Sequence, residues 1–275
     1  MTGAATPEHE WRFPNRATPV GSSAYYSVRF SPPPRRDTLA ALFGWRHELR
    51  AILDEVSDPG VARLKLDWWR NELIRTADGA PRHPLSLALA PAITEHALPD
   101  EPFLAIAERV EDELRGRRAA DDQARRVAAE RDLGALFELI ARCHGFTADT
   151  DLDRARRLGG WCEQVRRIRD GGLLLRRGRE AMPEARLAAA GLSHEALAAR
   201  DQRHRLPGLV RQLGQALGEQ APTAAETRAL PPTLRIQARI HAALLDELDR
   251  SGYAVTDQRI GLTPLRKLWI AWRAQ

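Results

Sequence analysis

Apolar residues in this chain recur at intervals of three and four, and almost nowhere at intervals of two. From Thr38 onward, Leu39, Leu42, Phe43, Leu49, Ile52, Leu53 and Val56 share one face of a helix, because a turn of about 3.6 residues stacks such positions into a stripe. Asp58-Pro59 ends that helix and starts another: the aspartate is placed as an N-cap, and proline suits a first helical position whose N–H would have no partner. Val61, Leu64, Trp68 and Leu73 carry this second helix to a stop near Gly79-Ala80-Pro81, and the tight connection makes the two an antiparallel pair. The same spacing runs through residues 103–114, 132–144, 152–169, 207–217 and 233–248, with Gly145 and Gly191-Leu192-Ser193 as breaks and alanine-rich stretches at 188–190 and 198–199. No run of alternating β-branched residues competes, so the expected class is all-α. In the last segment Leu265, Leu268, Trp269 and Trp272 form one more stripe, expected to dock back on the bundle.

Residues 1–34 read as an irregular segment, broken by Pro7, Pro14, Pro19 and Pro32-Pro33-Pro34, with a short aromatic piece around Tyr25-Tyr26 between the breaks. No linker or repeat follows, so 35–275 reads as one domain of many helices. The net charge of +5 is small beside 42 basic and 37 acidic residues, and only Lys65 and Lys267 are lysines. With no aromatic-basic recognition motif, a nucleic-acid module is excluded. Cys143 and Cys162 are too few for a disulfide framework or a cysteine zinc site, which points to a reducing, cytoplasmic setting. No stretch approaches the ~20 apolar residues of a membrane span, and Glu8, Glu10 and Arg12 stand where a signal peptide would be apolar.

Two blocks carry a specific pattern. The first runs from Arg35-Arg36 to Glu55, through Val56-Ser57-Asp58-Pro59-Gly60 and Lys65-Leu66-Asp67-Trp68-Trp69-Arg70-Asn71-Glu72-Leu73, to His83-Pro84. The second comprises Leu158-Gly159 to Arg169-Asp170, Gly178-Arg179, Pro183 and Ala190-Gly191-Leu192-Ser193. In order and spacing the two resemble the squalene/phytoene synthase family, over most of residues 22–200. The resemblance implies the isoprenoid synthase fold, a helical bundle around a central apolar cavity for prenyl chains.

The chemistry of that family begins with ionisation of an allylic diphosphate. The leaving group is a polyanion, so Mg²⁺ must neutralise it, and Mg²⁺ takes carboxylate and water oxygens in octahedral array. Aspartates four apart share a helix face, and two facing helices can hold the ions between them. Here Arg50 and Ala51 stand where the resemblance places the leading aspartates of the first pair, with Asp54 one turn later; in the second pair Asp170 remains and Leu174 replaces its partner. Glu163 and Arg166 fall where the family prefers Gln and Asn, and Ala181 deletes a tyrosine. An arginine at position 50 opposes metal binding by direct repulsion. Glu48 and Glu55 lie off the face of Asp54, and Asp58 is taken as an N-cap, so none restores the pair.

The expectation is a catalytically degenerate member with a prenyl or lipid-binding role. The C-terminal ending Leu262-Thr263-Pro264-Leu265 with Trp272-Arg273 resembles the branch of mitochondrial complex I assembly factors, which implies a protein partner at the membrane and a position peripheral to the inner membrane. The candidate vestigial diphosphate site is Asp54, Arg169, Asp170 and Arg179, the arginines matching phosphate without a metal unless they are ordinary surface residues. No cofactor is expected. The alternative is an active prenyl diphosphate transferase with a rearranged Mg²⁺ site; a third reading is a peripheral membrane protein using its Trp-bearing C-terminal helix and arginine surface.

Overall fold

In a computed structural model describing residues 10–275, the chain folds into α-helices, with no strand among the described residues. The helices are α1 (Ser23–Arg29), α2 (Arg36–Glu55), α3 (Pro59–Ala77), α4 (Pro84–Glu95), α5 (Asp100–Leu114), α6 (Asp122–Ala129), α7 (Ala135–Cys143) and α8 (Asp149–Arg169). After these come α9 (Gly171–Arg176), α10 (Glu184–Ala189), α11 (His194–Ala198), α12 (Leu206–Glu219), α13 (Ala224–Arg228), α14 (Pro232–Arg250) and α15 (Pro264–Arg273). The all-α class and the long helices follow the apolar spacing, and Asp58 caps α3 as expected, its Oδ1 accepting from Val61 N–H at 2.8 Å. Helices of five to eight residues escaped the spacing because they offer too few turns to display a period.

Two expectations change. Order begins before the proline run: Ser22 caps α1, whose Tyr26, Ser27 and Val28 are buried against α14 and α2. Prolines interrupt helix only where they stand, and the interval from Pro19 to Pro32 leaves room for two turns. Trp11 is also buried, with its ring over Gly44 of α2, where a Cβ would meet the indole at 2.7 Å. Residues 1–9, including the Pro7 and Glu8 of the sequence reading, lie outside the described residues. Secondly, α15 packs on α14 and α1 through Ala271, whereas Leu265, Leu268, Trp269 and Trp272 point outward and are 77, 39, 55 and 63% exposed. A period locates a stripe but not the side of the helix that meets the bundle.

The first sequence block builds a corner between α3 and α4. Glu72, fully buried, accepts hydrogen bonds from the backbone N–H groups of Arg82 at 2.6 Å and His83 at 2.7 Å. His83 then caps α4, its Nδ1 accepting from Leu85 N–H, with Pro84 at the first helical position. The His83 ring lies 4.8 Å from Trp69, which meets Trp45 edge-on at 5.4 Å, and Trp45 meets Phe103 at 5.5 Å. Trp69 is core and Trp68 half-exposed at the edge of the cluster. These residues bind helix to helix and stand apart from the cavity described below.

Helix α8 runs through the middle, packed on α6, α7, α12 and α14. It crosses a single π-helical turn, Glu130–Gly134, between α6 and α7. Glycines allow the approach: a Cβ on Gly159 would strike Leu133 O and the Gly134 backbone, and one on Gly134 would meet Arg156 O at 2.6 Å. The π turn carries one residue more than an α turn, and it holds Asp132 buried in the interior. We expect Gly159→Ala to destabilise the protein by about 2 kcal/mol in urea unfolding, because the colliding atoms are backbone and cannot rotate away. Gly218→Ala on α12, where a Cβ meets nothing within 4 Å, should instead stabilise by about 0.5–1 kcal/mol.

Candidate functional site

The interior between α2, α5, the π turn and α8 is ionic. Asp132 accepts from Arg46 Nε at 2.6 Å, Arg46 Nη2 at 3.0 Å and Arg50 Nη1 at 2.9 Å. Arg46 also reaches Glu163 at 2.8 Å. Glu113 gathers Arg50 at 3.1 Å, Arg109 at 3.0 Å and Arg167 at 3.1 Å. Beside them Arg125 lies 3.5 Å from Glu180, and Arg167 donates to the Glu180 carbonyl. An ionised group in a dry interior costs several kcal/mol unless charge and hydrogen bonds surround it, and here each carboxylate has at least one guanidinium. Burial opposes ionisation of Glu113, but Arg50, Arg167 and Arg109 outweigh it and hold the carboxyl well below its ordinary range. Arg50, buried between Glu113 and Asp132, is correspondingly harder to deprotonate than a free arginine.

This network forms one wall of a cavity of about 570 Å³, within the range of small-molecule sites. Helix α2 contributes Phe43, Arg46, Arg50, Ala51 and Asp54; α8 and α9 contribute Glu163, Arg166, Arg169, Leu173 and Leu174; α14 and α15 contribute Gln237, His241 and Lys267. Nine arginines and one lysine face four carboxylates around the cavity, so the apolar lining expected from the fold is confined to patches such as Phe43, Leu133, Leu173 and Leu174. The net positive lining favours an anion.

All four sequence-derived site residues line this cavity. Asp54 is held by Arg177 and by Arg179, each at 2.5 Å. Asp170 is held by Arg169 at 2.5 Å and Arg259 at 2.7 Å; burial pushes its pKa up, yet these two arginines bring it down to about 2. The arginines thus neutralise both aspartates, Arg177 joining Arg179 on Asp54. Sequence reasoning missed Arg259, Lys267 and His241, which come from distant parts of the chain with no motif of their own, and treated Arg166 only as a departure from pattern. Arg166 reaches just one carboxylate, Glu163, at 3.8 Å; burial, partly offset by Glu163, lowers its pKa to about 10. Among the arginines lining the cavity its ion pair is the longest. His241 donates from Nδ1 to Gln237 O, and burial holds its pKa at about 3, so it is neutral near pH 7.

Mg²⁺ is held by one or two carboxylates together with waters and substrate phosphates; here Asp54 and Asp170 are each engaged by two guanidiniums, and Arg50 and Leu174 stand one turn away from them, so a paired-carboxylate grip on the ion is not offered. Among the described residues no three His, Cys, Asp or Glu side chains are grouped as a metal site.

Helices surrounding a cavity reached by two Asp-bearing segments define the isoprenoid synthase class, and the comparisons agree. The squalene/phytoene synthase profile matches residues 17–266. A presqualene diphosphate synthase from Sinorhizobium fredii (strain NBRC 101917 / NGR234) is 25% identical over 94% of this chain and 95% of its own. The crystal structure of a squalene synthase from Alicyclobacillus acidocaldarius superposes with a TM-score of 0.71 at 22% identity, covering 86% of this chain and 92% of that one. A dehydrosqualene synthase in complex with ligand gives 0.70 at 16% identity, over 92% and 90% of the two chains. The chain belongs to the squalene/phytoene synthase family.

Two predictions follow the charges. Arg50→Met leaves Glu113 and Asp132 under-compensated and should cost about 3–5 kcal/mol in denaturant unfolding, while Asp54→Ala, at a 41% exposed side chain, should change stability by less than about 1 kcal/mol. The second concerns pH. Glu113, Asp132 and Asp170 have depressed folded pKa values, so their contribution is present above the unfolded value of about 4 and is lost as pH falls through the folded values. His241 and His144, kept neutral by burial at about 3 and about 4, favour the folded state above the unfolded value of about 6.5 and lose that contribution below it. The urea midpoint should therefore be flat above about pH 7 and fall steadily toward about pH 2, with Glu113→Gln flattening the part below about pH 5.

Proposed function

We propose that this protein binds a prenyl diphosphate, or a lipid with a similar anionic head, without divalent metal and without converting it. The observation that carries this reading is the clamping of both surviving aspartates by paired arginines beside an under-compensated Arg166. Guanidinium supports it chemically, since its planar donors match phosphate oxygens directly. Asp54, Arg169, Asp170 and Arg179 are then parts of an arginine-rich rim in which the aspartates orient cations instead of holding Mg²⁺. Binding that stabilises substrate and transition state alike does not speed ionisation, which is why such a rim suits retention better than turnover. The same reading includes a protein partner at the membrane and a role beside a respiratory complex, supported by the resemblance of the C-terminal ending.

An active head-to-head prenyltransferase with a rearranged Mg²⁺ site is the second reading, favoured by the near full-length match to a presqualene diphosphate synthase. Calorimetry with farnesyl diphosphate separates the two. The binding reading expects a dissociation constant unchanged within about threefold between EDTA and Mg²⁺, weakened about tenfold by Arg166→Ala, a loss of about 1.4 kcal/mol. Turnover of farnesyl or geranylgeranyl diphosphate that requires Mg²⁺ and disappears in Asp170→Ala would sink it and establish the transferase.

A further inference from the structure

Helix α15 presents an arrangement that neither the cavity nor the core uses. On an ideal helix of about 100° per residue, Leu265, Leu268, Trp269 and Trp272 fall within an arc of roughly 100°. All four are exposed. The opposite side carries Ala271, fully buried, and Lys267, whose ammonium donates to Gly21 O at 3.0 Å. Arg266 and Arg273 flank the apolar arc on one edge: Arg266 is paired with Glu247, while the Arg273 guanidinium lies over the Trp269 ring at 4.9 Å. Residues 264–275 include three cations and no carboxylate. Val20 is exposed as well, next to Gly21, which approaches Pro264 at the start of α15.

We infer that this face is a docking surface for an anionic lipid bilayer. Indole rings have an apolar body and a polar N–H and settle at the headgroup boundary, and a helix with leucines and tryptophans on one arc and arginines at its margin lies in the plane of that boundary. The charge complements the occupant: Arg273 stands at the margin of the apolar arc over the Trp269 ring, and a cation near the surface is drawn to phosphatidylglycerol-type headgroups by about 1 kcal/mol. Among the described residues no helix is long and apolar enough to cross a membrane. Its position matters for the ligand, a step that rests on the binding reading above. Lys267 on the inner side of α15 lines the cavity, so a docked helix brings the rim toward the bilayer from which a prenyl chain would come.

The test uses the full chain in sedimentation with phosphatidylcholine vesicles, with and without roughly 30% phosphatidylglycerol, in the absence of any prenyl ligand. We expect binding to the anionic vesicles, weakened at about 0.5 M salt by screening, and a fall of at least about tenfold in partitioning for the double variant Trp269→Ser/Trp272→Ser. Circular dichroism and the melting temperature should be unchanged in that variant, because both rings are exposed. Arg273→Glu should weaken anionic binding alone. Vesicle binding undiminished in the double variant, or no binding to either composition, overturns the inference. A parent dimer that becomes monomeric in the double variant would likewise overturn it and assign the face to a second copy. Calorimetry with soluble farnesyl diphosphate is independent of these outcomes, so the binding reading and the membrane inference fail separately.

Discussion

Asp132 accepts three hydrogen bonds from two arginines one turn apart on α2, and much of the interior depends on that arrangement. The carboxylate reaches them because the chain makes a π turn there, and the turn fits because glycines on α8 let two backbones approach. Small residues thus set a distance, the distance sets a backbone conformation, and the conformation places a charge. Glu113 repeats the role from α5, joining Arg50, Arg109 and Arg167. A bundle with this many buried ions is held by mutual compensation as well as by apolar area, and each member's removal leaves another without its counter-charge.

The same compensation shapes the cavity. Metal-dependent diphosphate chemistry needs carboxylates with free oxygens and cations that arrive from solution. In the proposed binding reading the cations are supplied covalently, as arginines. Arg50, standing at a position the resemblance assigns to an aspartate, is drawn away from the opening into the wall by Glu113 and Asp132. Asp54 and Asp170 are occupied by arginines from the end of α8, the turn after α9 and the segment before α15. The positive charge that remains is carried by guanidiniums such as Arg166, which lies 3.8 Å from Glu163 and which an incoming anion would compensate.

Much of this was readable in advance, for identifiable reasons. The apolar period gave the long helices, the Asp58-Pro59 signal gave the start of α3, and the spacing of the two blocks gave the family and the four residues that reach the cavity. The short helices were invisible because they offer too few turns to show a period, and α1 owes its place to packing on α14 and α2. The role of Glu72 and His83 was hidden inside a motif that looked functional and proved to join α3 to α4. Arg259, Lys267 and His241 could not have been named, since no local pattern distinguishes an arginine that meets Asp170 across 89 residues from one that meets water.

The sequence by itself determined the helical class and the abundance of arginine, because these depend on residue type and local spacing alone, and through its resemblance to the family it marked Arg50 and Leu174 as standing at positions assigned to aspartates. Tertiary structure decided what those substitutions mean. It showed which arginines neutralise Asp54 and Asp170, which one is left with weak compensation, and that the stripe of α15 faces outward rather than into the core. The physical reason is common to all three: a helical period fixes which residues share a face, whereas charge compensation and burial depend on what stands opposite that face, and distant parts of the chain supply it.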